Sequence, residues 1–539
     1  MKATFAAVRS RSFIIGMPTI YLLALALAGT GCAPEKAAPL PIEEYNRLDV
    51  ASAQTHMASG ALTAVSLTQY YLDRIAEIDD AGPTLNAVIE LNPAALRIAA
   101  ALDEEREKSG PRGPLHGVPV LLKANIDTRD SMATTAGSMA LAGYMPGKDA
   151  FLVARLRDAG AVVLGMANLS EWANYRSTNS SSGWSSLAGQ NLNPYVLDRG
   201  PCGSSSGPAS AVAADMALLS VGTETNGSIM CPASFNGVVG VKPTLGLVSR
   251  DGIIPIAHSQ DTAGPMARSV ADAAAMLQVM AVRDPADAAS KDFPAVIPNY
   301  ADALSLPDLS GISIGVQRDY SGAGKNADIE KAYEDVVSAL RNAGATIVDS
   351  VVVKVDGRLR QGPVLSFEFK HDLGQYLMSH GSPNGMSSLA DLIAFNDANA
   401  ELVMPLFGQE IFIRAEARGP LTDPEYLDAL ENNATLTRNA LDQAMADYNV
   451  DALIAPSNGP AGKIKRDDEE ESDWVGGGWG IFAISGYPDL TVPMALVNNL
   501  PVGVSVGGAP YSEAILLRIA QQIEMARGPF PAPSFLPGG

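Results

Sequence analysis

Gly203-Ser204-Ser205-Ser206-Gly207 leads through a run of small residues to Gly222-Thr223-Glu224-Thr225-Asn226-Gly227-Ser228. Serines set among glycines give a backbone free to take uncommon dihedrals, with hydroxyls held close to it. A bend such as Thr225–Ser228 can turn successive N–H groups into one concavity, which suits an anion or the oxyanion of acyl transfer. Two flexible Gly/Ser loops would have the same composition, so composition alone supports a serine enzyme only weakly.

The surroundings of this stretch set the fold. Val118–Leu122 and Ala161–Met166 are short apolar runs of strand type with a helix over Leu152–Ala159 between them. Ala209–Leu219 reads as a small-residue helix, followed by the strand Val238–Val241 and the helix Val270–Val282. Further on, Ile312–Val316, the amphipathic Ile329–Ala343 and Thr346–Val353 repeat the alternation. Ala452–Ala455, Leu490–Val492, Val502–Val506 and a helix over Ala514–Met525 close it. Strands alternating with helices indicate an α/β fold, a large mixed and mostly parallel sheet flanked by helices on both faces. The region 44–110 reads as helical, and 355–450 as a mainly helical cap. Lys463–Asp473 and Gly476–Gly480 read as loops and 529–539 as an extended Pro-rich tail. No repeat or long linker divides the chain, so 44–528 is expected to form a single domain.

The 539 residues are 47% hydrophobic and 18% charged, the balance of a globular protein. A formal net charge of −21 with no Lys/Arg cluster argues against nucleic-acid partners. Residues 1–31 have the pattern of a secretory signal: Lys2, Arg9 and Arg11, then the apolar Phe13–Leu27, then Ala28-Gly29-Thr30-Gly31. Cys32 follows directly and resembles the lipidation site of bacterial lipoproteins, with Gly29 where that motif usually has Leu. Cleavage near Ala28 or Ala33 without a lipid is the alternative. The expected location is therefore outside the cytoplasm, in the periplasm, with a lipid anchor on Cys32 as a variant of that expectation and 32–43 as a tether. Removing the three cations of the signal takes the charge from −21 to about −24. Cys202 and Cys231 flank the two serines. Buried free thiols are the expectation, and a local bridge the alternative. Five histidines without Cys/His ligand spacing give no metal site, and no cofactor is expected.

The pattern G-x-S-x-G occurs at Gly203–Gly207, Gly311–Gly315 and Gly503–Gly507, and the last two are strands in which the serine merely alternates faces. None makes a convincing strand-to-helix elbow with Asp and His downstream. His258 is the one attractive histidine base, and a structural or pocket-lining role suits it better. A lysine base is the other route to an activated serine, provided burial keeps it neutral. Lys123 closes the apolar run Gly117-Val118-Pro119-Val120-Leu121-Leu122 and meets that condition, as a structural ion-pair lysine also would.

The segments Gly203-Ser204-Ser205, Gly222–Ile229, Pro232-Ala233 and Gly237–Thr244 together resemble the amidase signature family. His116-Gly117-Val118-Pro119 with Lys123 and Asn125, Asp261–Met266, Gly486–Pro493 and Leu500–Gly503 extend the resemblance over 45–527. Ala167–Asn174 and Phe367-Glu368-Phe369-Lys370 look most like the bacterial peptide amidases. The resemblance implies the amidase signature fold and a triad: Lys123 as neutral base, Ser204 on a cis peptide bond as proton relay, and Ser228 as nucleophile. It implies an oxyanion hole from the N–H groups of Thr225, Asn226, Gly227 and Ser228, with Ser205 hydrogen-bonding near Lys123. Asn226 stands where many members have Gly, Cys202 replaces another Gly, and Ala124 stands where Asp is common. Met230 replaces an Arg found in members that handle anionic substrates, which disfavours a carboxylate clamp there. The implied reaction is hydrolysis of carboxamides, C-terminal peptide amides foremost, by a monomer or homodimer. Aryl or alkyl acylamides or esters are the alternative substrates. The glutamine-amidase subunit of a tRNA amidotransferase and a catalytically silent, surface-anchored binding protein are the other readings.

Overall fold

The computed structural model describes residues 38–464 and 478–538. The expected signal segment, Cys32 and most of the loop Lys463–Asp473 lie outside them. Eleven strands form one sheet: β1 Val88–Leu91, β2 Pro119–Lys123, β3 Val162–Ala167, β4 Leu219–Glu224, β5 Val239–Lys242, β6 Thr262–Ala267, β7 Ser313–Val316, β8 Thr346–Val348, β9 Ala452–Pro456, β10 Asp489–Val497 and β11 Leu500–Gly508. Their order across the sheet is β1-β3-β2-β4-β6-β5-β10-β11-β9-β7-β8.

The sheet is mixed, as expected, and its two senses are segregated. Strands β3, β2 and β4 run parallel, as do β9, β7 and β8. The central run from β4 through β6, β5, β10 and β11 to β9 is antiparallel, as is the edge pair β1–β3. A mostly parallel sheet is thus found in the flanks and not in the centre, where the short β10–β11 turn at Asn498-Asn499 forces antiparallel pairing.

Side chains on the central strands divide by period two. Leu219 and Val221 of β4, and Val239 and Val241 of β5, enter the main core with the helix Val270–Met280. On the opposite face Ser220 Oγ donates to the Pro208 carbonyl at 2.8 Å, and a Cβ on Gly240 would lie 2.6 Å from the Ala233 Cβ. That face is built of small residues so that two short helices, Ser206–Ala213 and Met230–Phe235, can approach it closely. These two helices carry the serine-rich segments.

Several elements differ from the sequence reading. The helix expected over Ala209–Leu219 ends at Ala213, because Asp215 takes a left-handed φ of 57° and is held there by Tyr70 and Arg268. Leu219 instead opens β4. Thr346–Val353 is strand only to Val348. Gly480 belongs to the helix Trp479–Ser485 and not to a loop, since Trp479, Phe482 and Ala483 bury one face. The stretch 355–450 holds the helices Gln361–Ser379, Leu389–Ala398, Ala400–Val403, Glu410–Glu416 and Pro424–Tyr448. The tail is extended and tied down, with Phe535 and Leu536 N–H groups donating to the Pro194 and Tyr195 carbonyls. Cys202 and Cys231 are not free thiols but a disulfide with a Cα–Cα distance of 5.9 Å, because the 203–205 turn folds back onto the start of the helix Met230–Phe235.

Candidate active site

Because β2 and β4 are parallel neighbours, their C-terminal ends open on the same edge of the sheet. Lys123 is the last residue of β2 and Glu224 the last of β4. Lys123 is fully buried, and its Nζ lies 2.7 Å from Ser204 Oγ, 3.0 Å from Ser205 Oγ, 2.8 Å from Thr223 Oγ1 and 3.1 Å from the Thr223 carbonyl. Burial pulls its ammonium down to about 7, although the carboxylates of Glu224 and Asp261 act the other way. A lysine so placed gives up its proton far more readily than an exposed one.

A neutral amine has two N–H donors and one lone pair to share among these four neighbours, and Thr223 Oγ1, which already accepts from Asn125 Nδ2, can take either role. Ser205 Oγ donates to the Thr223 carbonyl at 2.9 Å and accepts the Thr223 N–H at 3.2 Å, so towards Lys123 it is an acceptor. The Thr223 carbonyl is an acceptor as well. Ser204 Oγ, the shortest contact, can direct its O–H at the lone pair. Ser204 follows a cis Gly203–Ser204 peptide bond, and a Cβ on Gly203 would lie 2.1 Å from Ser170 Oγ.

Ser228 adjoins this group through the backbone: the Ser205 N–H donates to the Ser228 carbonyl at 3.1 Å. Its turn is folded around a carboxylate. Glu224 Oε1 accepts the Gly227 N–H at 2.8 Å, and Oε2 accepts those of Ile229 at 2.7 Å and Met230 at 3.1 Å. Of the four N–H groups expected to cradle an oxyanion, that of Gly227 is therefore engaged inside the turn, because Glu224 needs it. Gly227 has φ +80°, and a Cβ there would lie 2.6 Å from Trp479 Nε1. Met230 is buried among Tyr195, Phe235 and Trp479, so it is part of the core.

A cleft of about 430 Å³ opens beside these residues, lined among others by Asn125, Thr223, Thr225, Ile254, His258, Asp261 and Asp372. Asp261 fixes its floor: it accepts from Thr225 Oγ1 at 2.6 Å and from the Ile256 and Ala257 N–H groups at 2.8 Å each. Burial pushes this carboxyl up to about 6. Gln260 Nε2 donates to the Thr225 carbonyl at 3.0 Å, and Asn125 Nδ2 to Thr223 Oγ1 at 3.0 Å. Sequence reasoning assigned no role to Thr223, Glu224 or Asp261. The available signal was a carboxylate or hydroxyl embedded in runs of small residues.

His258 lines the cleft, as the sequence allowed, and bridges to the helix Gln361–Ser379. Its Nδ1 lies 2.8 Å from Asp372 and its Nε2 3.6 Å from Glu368, which Tyr426 and Ser259 also hold. These three side chains place ligand-type atoms within 4.8 Å of one another, the one such group among the described residues. Against the pull of burial, the hydrogen bond of His258 to Asp372 and the charges of Glu368 and Asp372 raise its imidazole above the ordinary value.

The fold has close counterparts. The solved peptide amidase of Stenotrophomonas maltophilia is 48% identical with a TM-score of 0.87, covering 92% of this chain and all of its own. An Arabidopsis thaliana protein named "Probable amidase" is 38% identical over 478 residues, 86% of this chain and 87% of that protein. A glutamyl-tRNA(Gln) amidotransferase subunit of Cereibacter sphaeroides is 35% identical over 90% of this chain and 98% of its own. With the family model for amidases matching residues 66–517, this chain belongs to the amidase signature family, hydrolases of carbon–nitrogen bonds.

Proposed function

We propose that the protein hydrolyses the C-terminal carboxamide of peptides to a carboxylic acid and ammonia through an acyl-enzyme on Ser228. The observation that carries this reading is the buried Lys123, its Nζ 2.7 Å from Ser204 Oγ and its ammonium drawn down to about 7. Lys123 takes the Ser204 proton while Ser204 takes that of Ser228, whose Oγ attacks the carbonyl carbon. The N–H groups of Thr225, Asn226 and Ser228 receive the developing oxyanion. The proton returns through Ser204 to the leaving nitrogen as the C–N bond breaks, and water then cleaves the ester by the same relay. Likeness to a peptide amidase over nearly the whole chain supports the substrate class.

Acylamidase or esterase activity uses the same groups and differs only in what the cleft holds. Ammonia release measured across peptide amides, anilides and short aliphatic amides separates these readings. Peptide amides should be turned over fastest; anilides cleaved in preference would overturn the substrate assignment. Ser228 should react with a fluorophosphonate and Ser228→Ala should not; an unreactive wild type would favour a binding protein. For location, we propose export from the cytoplasm. The N-terminal pattern supports it, as does a disulfide in a chain with three cysteines, since such bonds persist in oxidising compartments. Fractionation of the producing cell tests it, and recovery in the cytoplasm would refute it.

A further inference from the structure

Cys202 stands two residues before Ser204 and Cys231 three after Ser228, so the disulfide joins the two serine segments just outside the pair. Cys231 belongs to the packed helix Met230–Phe235 and is 4% exposed, whereas Cys202 is half-buried on the turn that carries Gly203 and Ser204. Cys202 also holds a left-handed φ of 56°, an uncommon conformation for a residue with a Cβ. Besides the bridge, the segments are linked by the 3.1 Å hydrogen bond from the Ser205 N–H to the Ser228 carbonyl, by Ser205 Oγ against the Thr223 backbone, and by Asn236 Nδ2 donating to the Pro201 carbonyl at 2.8 Å. The apolar cluster around the bridge includes Met230 and Trp479, and Trp479 abuts Gly227 in the nucleophile turn.

We propose that the Cys202–Cys231 disulfide is a positioning element that sets Ser204 against Ser228 and Lys123, so that reducing it lowers turnover while leaving substrate binding intact. This rests on the reading of Ser204 and Ser228 as a catalytic pair. Most of the cleft wall, at Ile253–His258 and His371–Gln375, belongs to segments the bridge does not join, and only Thr223–Thr225 line it from the nucleophile segment, so binding should change little. A dithiol delivers the reduction. Its thiolate attacks Cys202 Sγ and expels Cys231 as a thiolate. The reagent's second thiol then closes to a cyclic disulfide and frees Cys202, so two electrons pass to the protein.

The test titrates the full-length chain with dithiothreitol and counts thiols by alkylation alongside ammonia release. Reduction should expose two further thiols, lower kcat about tenfold and leave KM within about twofold, the pattern of misplaced reacting groups. The acid limb of kcat should also move to higher pH, because a loosened Ser204 turn admits water to Lys123. Reoxidation should restore both. Cys202→Ala/Cys231→Ala should behave as the reduced enzyme without reductant, which covers a bridge that resists the reagent. An unchanged kcat in enzyme shown to be reduced, or in the double variant, would overturn the proposal. So would Cys202 and Cys231 found as free thiols before treatment, or a lowered Tm with kcat intact below it. Full ammonia release by Ser228→Ala would instead sink the catalytic reading, whatever the bridge does.

Discussion

Replacing Glu224 by glutamine should cost both stability and the tuning of Lys123. The carboxylate is buried and accepts three backbone N–H groups that define the nucleophile turn, at 2.8, 2.7 and 3.1 Å. Glutamine has the same shape but one oxygen. Its better orientation keeps the Ile229 and Met230 bonds and turns its NH2 onto the Gly227 N–H. Two bonds to a charged acceptor then become neutral, each weaker by about 1 kcal/mol, and a stranded donor adds about 1–3 kcal/mol. The expected loss is about 3–5 kcal/mol, read as a lower urea midpoint with an unchanged m-value. Lys242, buried beside Glu224, Asp489 and Glu513, loses one of its three carboxyl neighbours in the same step. Glu224 also raises the ammonium of Lys123 against burial, so its removal lets that value fall below about 7. A base with a lower pKa is neutral at lower pH, and the acid limb of kcat should move down. An unshifted urea midpoint would refute the account of the turn. A limb that stays or moves up would refute the account of Lys123.

Lys123→Met should lower steady-state ammonia release by about a hundredfold to ten-thousandfold, the range of a lost general base. Gly227→Ala, placing a Cβ at φ +80° and 2.6 Å from Trp479 Nε1, should lower thermal stability by about 1–2 kcal/mol or more and reduce kcat with it. Burial alone would lower the His258 imidazolium, but its hydrogen bond to Asp372 and the charge of Glu368 reverse this and hold it above 6.5. The stabilisation it gives is complete below its unfolded value and fades as pH rises through the higher folded one. Hydrogen exchange in the helix Gln361–Ser379 should therefore quicken with rising pH beyond the chemical rate; His258→Ala should remove that extra dependence and keep most turnover.

The α/β class and the run of catalytic candidates could be read from the sequence because periodicity and motif spacing are local properties. Other features depended on partners distant along the chain. Strand β4 was hidden by Ser220, Gly222 and Thr223, whose small polar side chains suit a close helix and do not look like a core strand. Strand β6 contains Gly264 and Pro265, residues that weaken a strand pattern, yet Pro265 pairs with Val221 on one side while the ladder to β5 involves only Met266 and Ala267. The Cys202–Cys231 bridge stood in the sequence only as the alternative to free thiols, because pairing across 29 positions depends on how the chain folds back. Glu224 was legible as part of a motif, but its work inside the turn needed the folded backbone to be seen.

Lys123 reaches Ser204 because β2 and β4 pair with Val120 opposite Leu219 and Leu122 opposite Val221. A slip of one residue in that pairing would send the lysine through to the other face of the sheet and exchange the side chains of β2 between the two faces. Competence is thus a report on strand register that no measure of helix content or compactness gives. In a refolded preparation, the fraction of molecules that titrate with an active-site reagent counts those whose β2 and β4 have found their one productive alignment.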